Sequence, residues 1–187
     1  MSAVTGIVLA GGQGRRMGGV DKGLQLLHGK PMVAAVLARL APQVSEILIN
    51  ANQNLSDYAR FGHRVIPDAI GGFAGPLAGL HACLGEARND LVVTVPCDSP
   101  FLPMDLLSRL RKEINDNDLA VAKTGDQPHP VFALVRTSVK AGLEDFLRKG
   151  GRKIDAWYST LNVVEVRFDD EAEAFRNINT REELNSA

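Results

Sequence analysis

The chain has 187 residues, enough for one domain around a single core, and its 45% hydrophobic against 23% charged residues exclude a disordered polypeptide. A formal net charge of -1 argues against a chain-wide attraction to nucleic acid, while leaving room for local basic patches. No apolar stretch approaches the ~18 residues of a membrane helix, and the apolar run at 7–10 follows no basic residue and is too short for a secretory core. A cytoplasmic protein without membrane or nucleic-acid partners is expected.

In chain order, Thr5-Gly6-Ile7-Val8-Leu9-Ala10 is a continuous apolar run of the kind that forms a strand buried on both faces. A loop rich in glycine and arginine follows, from Gly11 to about Asp21. Pro31 opens a helix with apolar residues at Val33, Val36, Leu37 and Leu40. A strand is predicted at 46–50, a short helix at 56–61, a brief strand at 63–67 and a helix from Pro76 through Leu77, Leu80 and Leu84. Another buried strand spans 90–95 and is closed by Pro96-Cys97-Asp98, and Pro103 opens a helix to about Ile114.

Strands and helices thus alternate over the first ~115 residues, which predicts an α/β domain with a mainly parallel sheet and right-handed crossovers. Beyond it, strands are predicted at 119–123 and 131–135 with a polar connection at 124–130 between them. A helix at 138–147, a strand at 163–168 and a final helix at 180–184, capped by Thr180, complete the chain. No linker is long enough to divide it, so residues 1–187 form a single domain.

The chemistry concentrates in Leu9-Ala10-Gly11-Gly12-Gln13-Gly14-Arg15-Arg16-Met17-Gly18-Gly19-Val20-Asp21-Lys22. Five glycines between Gly11 and Gly19 clear side chains from backbone N–H groups, which can then form an anion-binding concavity. Between Gly11 and Lys30 the four basic residues Arg15, Arg16, Lys22 and Lys30 oppose Asp21 alone, a net of +3. A polyphosphate is the natural ligand, and the feeding strand places the loop at the carboxyl end of the sheet, where ligands of open α/β folds bind. A solvated turn-rich loop is the plainer alternative.

Two familiar phosphate motifs fail. Gly14 to Gly19 has P-loop spacing but continues Val20-Asp21 instead of Lys-Ser/Thr. The dinucleotide fingerprint would put Met17 at its third glycine, and the second strand ends in Asn50 instead of an acidic residue.

Together, Leu9-Ala10-Gly11-Gly12, Arg15-Arg16-Met17-Gly18 and Asp21-Lys22 resemble the signature loop of sugar-phosphate-type nucleotidyltransferases. Further matches are Gly29-Lys30-Pro31, Asn50-Ala51-Asn52, Gly75-Pro76-Leu77-Ala78-Gly79, Pro96-Cys97-Asp98, His129-Pro130 and Asn177-Ile178-Asn179-Thr180. With them the chain resembles the molybdenum cofactor guanylyltransferases over nearly its whole length. The resemblance implies a three-layer, Rossmann-like nucleotidyltransferase fold with a nucleotide-binding half at 1–115 and an acceptor-binding half at 116–187. It also implies GTP and molybdopterin, with or without molybdenum, as substrates, and transient contact with other proteins of that biosynthesis. Leu9, Ala10, Gly11, Gly12 and Gly14 would lie against the nucleotide, and Arg15 and Lys22 would neutralise phosphate charge.

Asp98, at the end of a buried strand and flanked by Pro96 and Pro100, suits one inner-sphere bond to Mg²⁺, though Asp also caps turns. The resemblance agrees with the Mg²⁺ role. Asn50 and Asp68 end predicted strands on the same edge. An Asp can accept from the N1 and N2 donors of guanine and an Asn offers both a donor and an acceptor, but turn capping explains the pair equally well. The resemblance assigns Lys22, Asn50 and Asp68 to the nucleotide. Asn177 and Asn179 would face one side of an extended segment, or simply form the turn before the last helix; the resemblance links them to the pterin. Basic residues at Arg152 and Lys153 match the family only loosely.

Other reactive residues carry less. His28, His63, His81 and His129 show no metal-ligand spacing, and His81 sits inside a predicted helix. Ser99 lacks a nucleophile-elbow setting. Cys83 and Cys97 match no zinc or redox motif and fit a reducing compartment. Trp157 and Tyr158 read as core and rim. A cytidylyl- or uridylyltransferase and a nucleotide-binding module without turnover remain the alternatives, separable by base preference and pyrophosphate release.

Overall fold

In the computed structural model, residues 3–12, 20–70, 75–178 and 183–184 are described. The central strand β1 (Val4–Leu9) puts Val4 and Val8 on one face and Ile7 on the other, all buried, which is why its sequence is apolar without alternation. A two-strand hairpin, β2 (Leu26–Leu27) and β3 (Lys30–Pro31), precedes α1 (Met32–Leu40). Then come β4 (Glu46–Asn50), α2 (Leu55–Ala59), β5 (Arg64–Ile66), α3 (Pro76–Leu84), β6 (Leu91–Pro96) and α4 (Leu106–Glu113). The second half adds β7 (Leu119–Thr124), β8 (Gln127–Arg136), α5 (Lys140–Arg148), α6 (Ile154–Tyr158) and β9 (Val163–Arg167).

The seven-stranded sheet has the order β5-β4-β1-β6-β8-β7-β9, and only β8 runs against the others. Helices cover both faces. Val36 and Leu40 of α1 and Leu106 and Leu110 of α4 pack on one face with Val8, Ile49 and Val95. Leu77 and Leu80 of α3, Leu143 of α5 and Trp157 of α6 pack on the other with Ile7, Leu48 and Val92. The result is the expected three-layer α/β domain with a mostly parallel sheet. From β1 the chain crosses to β4 on one side and later to β6 on the other. The carboxyl ends of these strands therefore frame a topological switch point, where ligands of such sheets bind.

Two expectations need correction. The polar connection at 124–130 is mostly strand: β7 and β8 form a hairpin through Gly125, whose φ of 54° suits a tight turn. β8 pairs with β6 only from Ala133 onward, so Pro128 and Pro130 sit where that side of the strand is an edge and their missing N–H costs little. The helix after Pro103 begins later, at Leu106, with Pro103 in the preceding turn. A 3₁₀ turn at Lys22–Leu24, the β2–β3 hairpin, α6 and the 3₁₀ turns across Asp169–Phe175 are additional elements. The final helix at 180–184 falls largely outside the described residues. Among the described residues, no helix is long and apolar enough to cross a membrane.

Candidate functional site

At the switch point, sheet pairing continues to the last residue before the chemistry begins. The Ala10 N–H donates to the Asn50 carbonyl (2.8 Å), and the Cys97 N–H donates to the Leu9 carbonyl (3.2 Å). Gly11 and Gly12 leave β1, and Asp98 follows β6, from neighbouring positions on one edge. A side chain at exposed Gly12 would meet nothing within 4 Å, so that backbone borders open space.

On the β4 side, Asn50 is 2% exposed, and its amide donates to the Ile66 carbonyl (3.0 Å) and to Asp68 Oδ1 (2.9 Å). Asn52 donates to Asp68 Oδ2 (3.0 Å) and, at 3.4 Å, to the Gly11 carbonyl, while the Asp68 N–H donates to Asn52 Oδ1 (2.9 Å). Both N–H donors of Asn50 are thus spent inside the protein. The Asp68 carboxylate is held by two amides, and with about four lone-pair positions it can still accept from a ligand. A Cβ on Gly11 would lie 2.7 Å from Asn50 Oδ1, and one on Gly79 of α3 would run into the same amide. Both glycines therefore make room for Asn50.

On the β6 side, Asp98 is 8% exposed and Lys22 Nζ lies 3.2 Å from its Oδ2. The 3₁₀ turn at Lys22–Leu24 presents the lysine. Burial, reinforced by the neighbouring Asp98, pushes the Cys97 thiol far up, so it stays protonated and packs. The Ser99 hydroxyl donates to Asn177 Oδ1 (2.6 Å), and the Ile178 N–H donates to the Asp98 carbonyl (2.8 Å). These bonds dock the C-terminal segment beside Asp98.

Asn177 also lines a cavity of about 460 Å³ with Pro96, Thr124, His129, Phe132 and Phe175, within the usual range for small-molecule sites. The His129 ring stacks on Phe175 at 4.6 Å between centroids, and its Nε2 bonds the Thr124 hydroxyl at 2.7 Å. Burial lowers the His129 pKa below the ordinary 6.5, which keeps the ring neutral at pH 7.

The structure thus gathers Leu9, Ala10, Gly11, Gly12, Lys22, Asn50, Asp68, Asp98 and Asn177 along one edge. Gly14, Arg15 and Asn179 lie outside the described residues. Sequence reasoning missed Asn52, Gly79, Thr124 and His129 as site residues. The spacing of Asn50 and Asn52, two apart like Asn177 and Asn179, was the available signal for the first. Ser99, unsuited as a nucleophile, instead holds Asn177. His81 faces Glu144 of α5 at 3.5 Å, within the helix layer. Trp157 is buried in the core, and the Tyr158 hydroxyl donates to the Pro130 carbonyl (2.6 Å).

The chain is similar to known proteins over most of its length. The family model of the MobA-like NTP transferase domain matches residues 6–163. A molybdenum cofactor guanylyltransferase of Shewanella putrefaciens is 50% identical over 182 residues, covering 96% of this chain and 93% of that protein. One from Cupriavidus necator is 50% identical over 188 residues, covering 97% and 94%. The crystal structure of molybdopterin-guanine dinucleotide biosynthesis protein A from Archaeoglobus fulgidus is similar with a TM-score of 0.80 and 29% identity, covering 97% of this chain and 95% of that one. The chain belongs to the MobA-like NTP transferase family and, within it, to the molybdenum cofactor guanylyltransferases.

Proposed function

We propose that the protein transfers GMP from GTP to the terminal phosphate of molybdopterin, forming molybdopterin guanine dinucleotide and releasing pyrophosphate. The observation that carries this reading is the shared edge on which the Gly11–Gly12 backbone and Asp98 stand side by side, with Lys22 on Asp98 at 3.2 Å. The names of the relatives supply the substrates.

In this reading the backbone of Gly11 and Gly12 cradles the triphosphate, and the resemblance assigns Gly14 to the same ligand. Lys22 and Arg15 offset charge on the α-phosphate and on the departing pyrophosphate. Asp68 accepts from the N1 and N2 donors of guanine. Asn50, with both donors spent, orients Asp68 instead of touching the base. An adenine would leave the carboxylate facing an acceptor, at a cost of about 1–3 kcal/mol. The cavity at Asn177, His129 and Phe175 takes the acceptor.

A terminal oxygen of the acceptor phosphate bonds to the α-phosphorus as the bond to the bridging oxygen breaks, and that oxygen leaves with pyrophosphate. A monoester phosphate has its second pKa at about 6 and is largely ionised at pH 7. No general base is then needed, and catalysis is positioning plus electrostatic stabilisation.

The donor chemistry at Asp98 fits a divalent cation. One nearly buried carboxylate at the phosphate edge suits Mg²⁺, which takes its other ligands from phosphates and water. Asp98 would hold the ion, whose chemistry when bound is to neutralise phosphate charge.

The test is incubation of the protein and molybdopterin with each of the four nucleoside triphosphates, labelled at the α-phosphate, in the presence of Mg²⁺. Label should pass to the pterin from GTP, with release of pyrophosphate. Preferential transfer from CTP or UTP would replace guanylyl transfer by another nucleotidyl transfer, and binding without release would remove the catalytic reading.

A further inference from the structure

The proposed mechanism asks Lys22 to stand at a fixed point beside Asp98, yet lysine is a long, flexible side chain. Its backbone turn is unusually well anchored. α2, only five residues long, buries one side chain completely, Tyr58. A buried phenol needs a hydrogen-bond partner, and Tyr58 finds it outside its own element: the hydroxyl donates to Asp21 Oδ1 at 2.5 Å. Asn54, just before α2 with a left-handed φ of 51°, donates to Asp21 Oδ2 at 3.0 Å. Both oxygens of Asp21 are therefore held from the α2 region, 33 and 37 residues along the chain.

The turn is pinned from two further directions. Gln25 donates through its side chain to the Asp21 carbonyl (3.2 Å) and through its backbone to the Lys22 carbonyl (3.1 Å). A Cβ on Gly23 would lie 2.5 Å from the Tyr58 hydroxyl and 3.2 Å from Cys97 Cβ, so the backbone is pressed between α2 and the end of β6. Burial raises the Tyr58 pKa far above the ordinary tyrosine value, and the hydroxyl stays a donor throughout the working pH range.

We infer that Tyr58, assisted by Asn54, is a positioning residue for nucleotidyl transfer: it clamps Asp21 and so fixes the turn that aims Lys22 at Asp98. This inference rests on the proposed function of the site, because it gives Lys22 a task whose geometry matters. Misplacement of a charge-stabilising group by about 1 Å costs up to roughly a hundredfold in rate.

The experiment compares Tyr58→Phe in two backgrounds, the unaltered chain and Lys22→Ala, with steady-state kinetics on whichever nucleoside triphosphate the unaltered chain turns over. Tyr58→Phe keeps the ring and removes one hydroxyl; Asn54→Ala is the second variant, at an exposed bond, should the first melt early. In the unaltered background kcat should fall by about ten- to a hundredfold. In the Lys22→Ala background the same change should lower the residual kcat by less than about twofold, since a clamp acting through Lys22 has nothing left to aim. An equal loss in both backgrounds, or no loss in the first, overturns the inference. Crystal structures give a readout independent of turnover, so a failure of the transferase reading is told apart. The Lys22–Asp98 separation should exceed about 4 Å in Tyr58→Phe, and an unchanged ion pair overturns the clamp whatever reaction the protein performs.

Discussion

The two flanks of the site are built from different materials. On the flank proposed for the nucleotide every carboxylate is held in place: Asp68 by Asn50 and Asn52, Asp98 by Lys22, and Asp21 by Tyr58 and Asn54. On the flank proposed for the acceptor the cavity is walled by Pro96, Phe132, Phe175 and a neutral His129. A flank that must handle triphosphate charge needs charges fixed before the ligand arrives, because reorganising them during the reaction would cost rate. A flank that receives a flat heterocycle needs shape and stacking area. In the proposed mechanism, transition-state stabilisation is therefore concentrated on the nucleotide flank, and the acceptor flank contributes mainly binding.

The strongest way to break this contrast is Asp98→Ala. Turnover should fall by on the order of 10²–10³-fold, while the thermal transition persists because the Ile178 bond uses the Asp98 backbone. Unchanged turnover in a pyrophosphate-release assay would move the chemistry elsewhere. Gly79→Ala comes next. Its methyl would displace the Asn50 amide, costing about 1–3 kcal/mol of stability from overpacking, read by denaturant melts. The released Asp68 should raise KM for GTP by about tenfold, the equivalent of one lost hydrogen bond to a charged group.

His129→Ala sharpens the comparison from the other flank. KM for the acceptor should rise several-fold, consistent with a lost ring contact of about 0.5–1.5 kcal/mol, while KM for GTP stays within about twofold of its original value. A matching change in both constants would mean that the flanks are not separate.

The smallest effect concerns pH. Burial lowers the pKa of His129 and of His63 below 6.5 in the folded chain. Between the folded and unfolded values the unfolded chain binds more protons, so stability rises with pH there. The contribution is complete above about pH 6.5, declines as pH falls below it, and levels off under the folded values. Melts of the His129→Ala variant across pH 5 to 7 should show a shallower decline than those of the unaltered chain.

Much of this was legible in the chain. A short continuous apolar run bounded by turn residues fits a strand covered on both faces, and β1, β4 and β6 fall where such runs predict them. Asp98, Asn50 and Asp68 were visible as polar residues at the ends of predicted strands, because a parallel sheet collects such ends on one edge. Partnerships at long range were not. Asn52 is bonded to Asp68, 16 residues on, and Asp21 to Tyr58, 37 residues on; only folding sets those pairs. Gly79 stands inside a predicted helix, and its contact with Asn50 depends on how α3 crosses β4. The length of β8 was hidden by its prolines, which signal a connection unless the strand is known to be an edge at that point.

The most direct measurement is a crystal structure of the protein with Mg²⁺ and a GTP analogue whose α–β bridge cannot be cleaved. The triphosphate should lie between the Gly11–Gly12 backbone and Asp98, with the guanine edge on Asp68. A nucleotide seated in the Phe175 cavity, or with its phosphates turned away from Asp98, would contradict the account.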